Sequence, residues 1–264
     1  MSREVSPPGP GHIGLVRRQF GANADRYATS HVHAQGASLR RLVELARPRP
    51  GWQALDVATG AGHTAVAVAS HVARVIATDV TPQMLALADQ LARDREATNV
   101  TVQHADAESL PFAAGTFDLV TCRNAAHHFP RVERFAAESH RVLKRGGLLA
   151  LVHNVSPDDR EAAAEADAIE RLRDPSHVHC LSVAEWRDVL ETAGFAIEHE
   201  ELMDMPLELT AWAQRMNVSE TGCEELRRRV LNASAPLSAF WRPQQAGDEL
   251  RFVFTELLLV ARRR

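Results

Sequence analysis

A chain of 264 residues with 45% hydrophobic and 24% charged side chains can bury one large core, so an enlarged single domain is the simplest organisation. Its 30 Lys and Arg against 34 Asp and Glu give a formal charge of -4, which offers no positive field for a phosphate backbone and argues against a nucleic-acid partner. The cysteines, Cys122, Cys180 and Cys223, have no paired spacing and suit a reduced cytoplasm, and no apolar run approaches the ~20 residues that span a membrane.

Residues 1–12 carry Pro7, Pro8 and Pro10 among small polar residues and read as a mobile tail. Across 13–48, Leu15, Val16 and Phe20, then Leu39, Leu42, Val43 and Leu45, have helical spacing, closed by Pro48 and Pro50. Two helices therefore precede the core. Between 49 and 155, short apolar runs at 54–57, 75–78, 100–102, 119–121 and 148–152 alternate with helical patterns, one of them opened by Thr81-Pro82. Near-continuous apolarity in short strands is the mark of a parallel sheet covered on both faces, so the chain reads as a doubly wound α/β fold.

Residues 156–264 begin with an Ala- and charge-rich helix at 161–173, and Ser182 with Glu185 forms a capping box for another. A strand at 195–202, a mostly helical stretch at 208–242 and a strand at 251–262 complete the pattern. The simplest arrangement is an antiparallel hairpin that finishes a seven-stranded, mostly parallel sheet, with helical cap insertions in the same domain.

The most informative segment runs from Leu55 through Asp56, Gly60 and Gly62 to His63 and Thr64. A strand entering a Gly-x-Gly turn and then a helix lets backbone approach a ligand closely. A carboxylate at Asp56 would repel a pyrophosphate but welcome a cation, and the third glycine of a dinucleotide turn is absent. Asp79, at the end of the next strand, is placed to accept the ribose hydroxyls of an adenosine, with Val80 and Met84 able to flank its ring. Asp106 ends the third strand, where it can accept from an adenine amino group.

Together Asp56-Val57-Ala58-Thr59-Gly60-Ala61-Gly62, Asp79, Asp106-Ala107-Glu108-Ser109-Leu110-Pro111-Phe112, Phe117-Asp118-Leu119-Val120, His127-His128-Phe129 and Arg141-Val142-Leu143-Lys144-Arg145-Gly146-Gly147 resemble the class I methyltransferases. The resemblance is to the type 11 branch, which includes the ubiquinone and menaquinone methyltransferases. It implies a Rossmann-like fold, S-adenosyl-L-methionine as cofactor and S-adenosyl-L-homocysteine as product. It further implies that Gly60 and Gly62 lie against the methionine part, with His63 in the same loop. Asp79 would hold the ribose, Asp106 with Ala107 would meet the adenine, and Arg123 would offer backbone to the ammonium. The amino-terminal helices resemble the family's lid, in which Tyr27 is the aromatic residue able to cover the cofactor.

The stretch Arg171-Leu172-Arg173-Asp174-Pro175-Ser176-His177 is similar to a segment of uncharacterised bacterial members that follows the fifth strand, where family substrates bind. Arg173, His177 and His153 are accordingly expected to line a small-molecule acceptor. Transfer to that acceptor is an in-line displacement governed by alignment, and a base is needed only for a protonated nucleophile. His127 and His128, after the fourth strand, are the leading base candidates. No metal is expected, because His31-x-His33 and His177-x-His179 are too slight to make a site. Two other readings remain open on the sequence: a non-catalytic S-adenosylmethionine-binding protein and a nicotinamide-dependent oxidoreductase. The sequence carries no sign of oligomeric state.

Overall fold

A computed structural model of the chain describes residues 11–28 and 36–264, with the side chains of 25–28 outside that description. Residues 1–10 of the expected tail at 1–12, the pair His31 and His33, and the Tyr27 side chain thus lie outside the described residues. Helix α1 spans His12–Ala28 and α2 spans Ala37–Ala46. The core follows as β1 (Gln53–Val57), α3 (His63–Ala69), β2 (Arg74–Asp79), α4 (Pro82–Asp94), β3 (Val100–His104), β4 (Phe117–Arg123), α5 (Val132–Val142) and β5 (Leu143–Asn154). No helix links β3 to β4. The intervening segment turns on itself through a bridge between Asp106 and Ser109, and Pro111 and Gly115 follow it.

The carboxyl-terminal part supplies α6 (Arg160–Arg173), α7 (Val183–Thr192), β6 (Phe195–Glu208), α8 (Leu209–Gln214), α9 (Glu220–Leu231), α10 (Ala235–Trp241), β7 (Gln244–Ala246) and β8 (Glu249–Arg263). The sheet runs β3-β2-β1-β4-β5-β8-β6, with the short β7 pairing only β8. β1 to β5 are mutually parallel, and β8 lies antiparallel between β5 and β6. Strand order reverses between β1 and β4. In open α/β sheets the crevice at the carboxyl ends of such a pair is where ligands bind.

Alternate residues of the central strands feed two apolar layers. Leu55, Val120, Leu149 and Leu259 pack with Phe135, Trp186 and Phe195 on one face, while Ala54, Val75, Leu119 and Val152 pack with Leu42 and Val68 on the other. This double coverage is why these strands read as unbroken apolar runs. A third cluster gathers Ile169, Trp212, Leu226, Trp241, Phe252 and Phe254, joining α6, α8, α9 and α10 to the far end of β8. β6 extends well past the expected 195–202, to Glu208 opposite Arg251. It is an edge strand with mostly half-exposed residues and Pro206 within it, so it lacks the apolar run that announces a buried strand. The β6–β8 ribbon carries the α8–α10 helices toward the carboxyl ends of β4 and β5. Among the described residues no helix is long and apolar enough to cross a membrane.

Candidate functional site

A cavity of about 540 Å³ opens over the carboxyl ends of β1, β2, β3 and β4. Asp56, Gly60, His63, Asp79, Val80, Met84, Asp106, Ala107 and Arg123 border it, so most residues singled out in the sequence are brought to one place. Its apolar wall, which includes Val80, Met84, Ala105 and Ala107, suits a ring, and its polar groups suit a nucleoside.

Two carboxylates anchor the floor. Asp56 is 1% exposed and accepts the hydroxyls of Thr59 at 2.6 Å and Thr121 at 2.6 Å. Burial pushes its carboxyl up to about 6, against the pull of the two hydroxyls and of Arg123. Asp79 is 8% exposed and accepts the amides of Thr81 at 2.8 Å and Gly60 at 3.0 Å, so it joins the β2 end to the glycine turn. Its carboxyl is likewise raised by burial, with those amides opposing the rise. Thr81 stands at the helix N-cap position without a side-chain cap, and Asp79 takes its amide.

The glycines divide their work. Gly60 has φ of +54° and a Cβ there would meet nothing within 4 Å, leaving its backbone open to the cavity. Gly62, with φ of +90°, does not border the cavity. A Cβ on it would stand 2.9 Å from the Ala88 backbone, so this glycine lets α3 and α4 close together. The expectation that both glycines face a ligand is therefore corrected for Gly62. Ala58 also adopts a left-handed φ of +52°, uncommon for a residue with a Cβ and a sign of a tightly constrained turn.

Several cavity residues escaped the sequence reading. His12, Ile13, Val16 and Phe20 of α1 cover one side. The His12 Nε2 donates to the His128 carbonyl at 3.0 Å. Glu108 is buried and accepts from the Arg131 amide at 2.7 Å and its Nε at 2.9 Å, closing the opposite rim. Arg123 sends its Nε to the Thr64 hydroxyl at 3.2 Å, bracing β4 against α3.

The histidines separate by place. His128 borders the cavity and also a smaller hollow of about 60 Å³ beside it. Its Nδ1 donates to the Ser176 carbonyl at 3.0 Å, leaving Nε2 to carry the lone pair 3.9 Å from Asp174. Burial lowers its imidazole to about 4 against the Asp174 charge. His127 borders only the hollow. Its amide and Nδ1 both reach the Nε2 of His153, at 3.0 Å each. His153 donates its Nδ1 to the Asn154 carbonyl, is pushed down to about 3 by burial and holds the His127 loop; it borders neither of these spaces but a separate cavity of about 590 Å³ shared with Arg131, His179 and Trp186.

His177 also borders neither space. Burial would lower it, but Glu170 at 3.7 Å and Asp167 at 2.8 Å outweigh burial and hold its imidazole above the ordinary value. Arg173 borders the smaller hollow. His127, His153 and Cys180, and likewise Asp167, His177 and Cys180, bring ligand-type atoms within 4.8 Å of one another. In the first group both ring nitrogens of His153 bond to protein partners, whereas in the second His177 bonds Asp167 through Nε2 and its buried Nδ1 has no hydrogen-bond partner.

Comparison with known proteins agrees with this geometry. Residues 55–151 match the family model described as a methyltransferase domain. The chain is 36% identical over 196 residues to the uncharacterized methyltransferase YcgJ of Bacillus subtilis, covering 74% of this chain and 78% of that one. The crystal structure of YcgJ superposes with a TM-score of 0.82 at 30% identity, covering 86% of this chain and 98% of that chain. A putative methyltransferase from Bacillus halodurans also gives 0.82, at 33% identity, over 86% and 99%. The ubiquinone/menaquinone biosynthesis C-methyltransferase UbiE of Rhizobium etli is 34% identical over 160 residues, 57% of this chain and 61% of that one. With a carboxylate-floored cavity at the switch point, a pyrophosphate-repelling glycine turn and these relatives, the chain belongs to the class I S-adenosylmethionine-dependent methyltransferases.

Proposed function

We propose that the chain moves the methyl group of S-adenosylmethionine to a small-molecule acceptor bound beyond Asn124 and His128. The observation that carries this reading is the cavity itself: buried carboxylates at Asp56 and Asp79 lie under an open backbone position at Gly60. The residues fit the cofactor. Asp79 would take the ribose, Asp106 and Ala107 the adenine edge, and Val80 with Met84 the adenine face. Gly60, Asp56, His63 and Arg123 would surround the methionine part. The buried His63 Nε2 has no protein partner and is a ready donor or acceptor there. When bound, S-adenosylmethionine supplies a methyl carbon open to in-line displacement, and the protein supplies alignment.

Of the candidate bases, His128 is favoured, because it touches both spaces and its Nε2 carries the lone pair. The proton would be taken at Nε2, with Asp174 stabilising the resulting imidazolium. The reading is tested by following S-adenosylhomocysteine release with a panel of small phenols, amines and keto acids. Replacing His128 with glutamine should lower kcat by about 100-fold or more for a protonated nucleophile. The same change at His127 should act mainly through loop stability, and equal losses of kcat in the two variants would remove the base role from His128.

Asp56 gives a pH signature. Because burial raises its carboxyl to about 6, it is ionised above that pH and can balance a cationic amino-acid group only there. Cofactor affinity should therefore hold above pH ~6 and weaken by about tenfold per unit below it. In the apo protein the sign is opposite: the raised carboxyl costs stability once ionised, and lowering pH through about 6 relieves that cost. Calorimetry with S-adenosylhomocysteine across this range checks both, and Asp56→Asn should flatten the binding profile.

A further inference from the structure

We infer that the acceptor carries a carboxylate, which the guanidinium of Arg173 takes in the hollow beside the cofactor cavity; this rests on reading the larger cavity as the cofactor site. Phe20, Asn124 and His128 border both spaces, so the hollow adjoins the larger cavity at the side facing β4 and α1. At about 60 Å³ it admits a compact group and not a bulky one.

Arg173 is only 9% exposed. Its Nε donates to the Trp212 carbonyl at 2.8 Å, and the guanidinium lies 4.8 Å over the Trp212 ring, which holds the fork flat. Among the described residues it has no salt-bridge partner and its Nη groups meet no protein acceptor. The nearby carboxylates take their hydrogen bonds elsewhere, although Glu170 borders the same hollow and is attracted to the Arg173 charge. Glu170 faces His177 at 3.7 Å and the Cys180 thiol at 3.8 Å, Asp174 takes the Ser176 amide and hydroxyl, and Asp167 takes His177 and His179.

A buried cation without a hydrogen-bonded counter-charge is costly, and an arginine fork stacked on a ring matches a planar carboxylate through two parallel hydrogen bonds. Arg215 borders the same hollow and adds a second positive charge that offsets Glu170, while Met205, Leu207 and Phe254 offer apolar wall for a hydrocarbon part. A neutral acceptor leaves the Arg173 fork without a bidentate partner. The tetrahedral shape of a phosphate suits the small hollow and the flat fork less well.

The test uses the full chain saturated with S-adenosylhomocysteine, whose binding is measured first. Benzoate, acetate, benzamide and inorganic phosphate are then titrated by ligand-observed NMR. Benzoate or acetate should bind at least about tenfold more tightly than benzamide, the typical weight of hydrogen bonds to a charged group. Arg173→Gln should abolish that preference while leaving S-adenosylhomocysteine affinity unchanged, and Arg173→Lys should restore part of it. Carboxylate binding equal to that of benzamide, no carboxylate binding, or a preference that survives Arg173→Gln would overturn the proposal. Tighter binding of phosphate than of either carboxylate would overturn the carboxylate assignment. Should Arg173→Gln fail to fold, as judged by lost S-adenosylhomocysteine binding, the wild-type preference and the Arg173→Lys variant decide. Failure of the wild-type chain to bind S-adenosylhomocysteine would instead remove the reading on which the inference rests.

Discussion

Replacing Gly62 with alanine should destabilise the fold far more than the same change at Gly60, although the two glycines stand only one residue apart in the turn. At Gly62 the backbone has φ of +90° and the new Cβ would stand 2.9 Å from both the Ala88 Cα and its Cβ. Left-handed strain of about 1–2 kcal/mol and overpacking of about 1–3 kcal/mol combine to a loss of roughly 2–5 kcal/mol. For a chain of this size that lowers Tm by roughly 5–15 °C. At Gly60 φ is +54° and the Cβ meets open space, so only the strain applies. The Gly60 methyl would enter the cavity, so its main effect should be on cofactor affinity. Thermal unfolding and S-adenosylhomocysteine titration of the two variants separate the roles, and equal Tm losses would show that Gly62 is not the packing contact.

Asp79→Ala should weaken the cofactor by about 2–4 kcal/mol, or roughly 30- to 1,000-fold in Kd, as expected for hydrogen bonds to an ionised group. The carboxylate is buried and already organised by the amides of Gly60 and Thr81, leaving its remaining lone pairs to face the cavity. Stability should change by only about 1 kcal/mol, because burial already raises this carboxyl and the two amides it releases adjoin a cavity that admits water. The contrast between a large binding loss and a small Tm shift distinguishes a ligand-holding carboxylate from a merely structural one. An unchanged Kd would place the ribose elsewhere.

Four of the parallel strands, β1, β2, β4 and β5, were legible because burial on both faces forces short apolar runs, as at Leu55, Val75 and Leu149, while the edge strand β3 was legible from its β-branched Val100, Thr101 and Val102. The far half of β6 was not, since an edge strand with a charged outer face has no such run. Asp56, Asp79 and Asp106 were legible because each ends a strand on the crevice side. Gly62 was misread because a Gly-x-Gly spacing does not say which glycine meets a ligand and which meets a helix. His12, Glu108 and Arg131 reach the site from segments with no local signal, and only the packing of α1 and the closing of the rim bring them in. His153 lies near the end of β5 and His177 follows α6, yet neither borders the cofactor cavity or the hollow beside it. Their partners Asn154, Asp167 and Glu170 determine that placement, and pairing of this kind leaves no trace in spacing.

Calorimetry at neutral pH, with S-adenosylhomocysteine and NAD titrated separately into the wild-type chain, probes the cavity most directly. S-adenosylhomocysteine should bind at one site per chain and NAD should give no saturable heat, because a carboxylate at Asp56 would repel a pyrophosphate where it would welcome an amino acid's ammonium group. Saturable NAD binding with none for S-adenosylhomocysteine would contradict that assignment of the cavity.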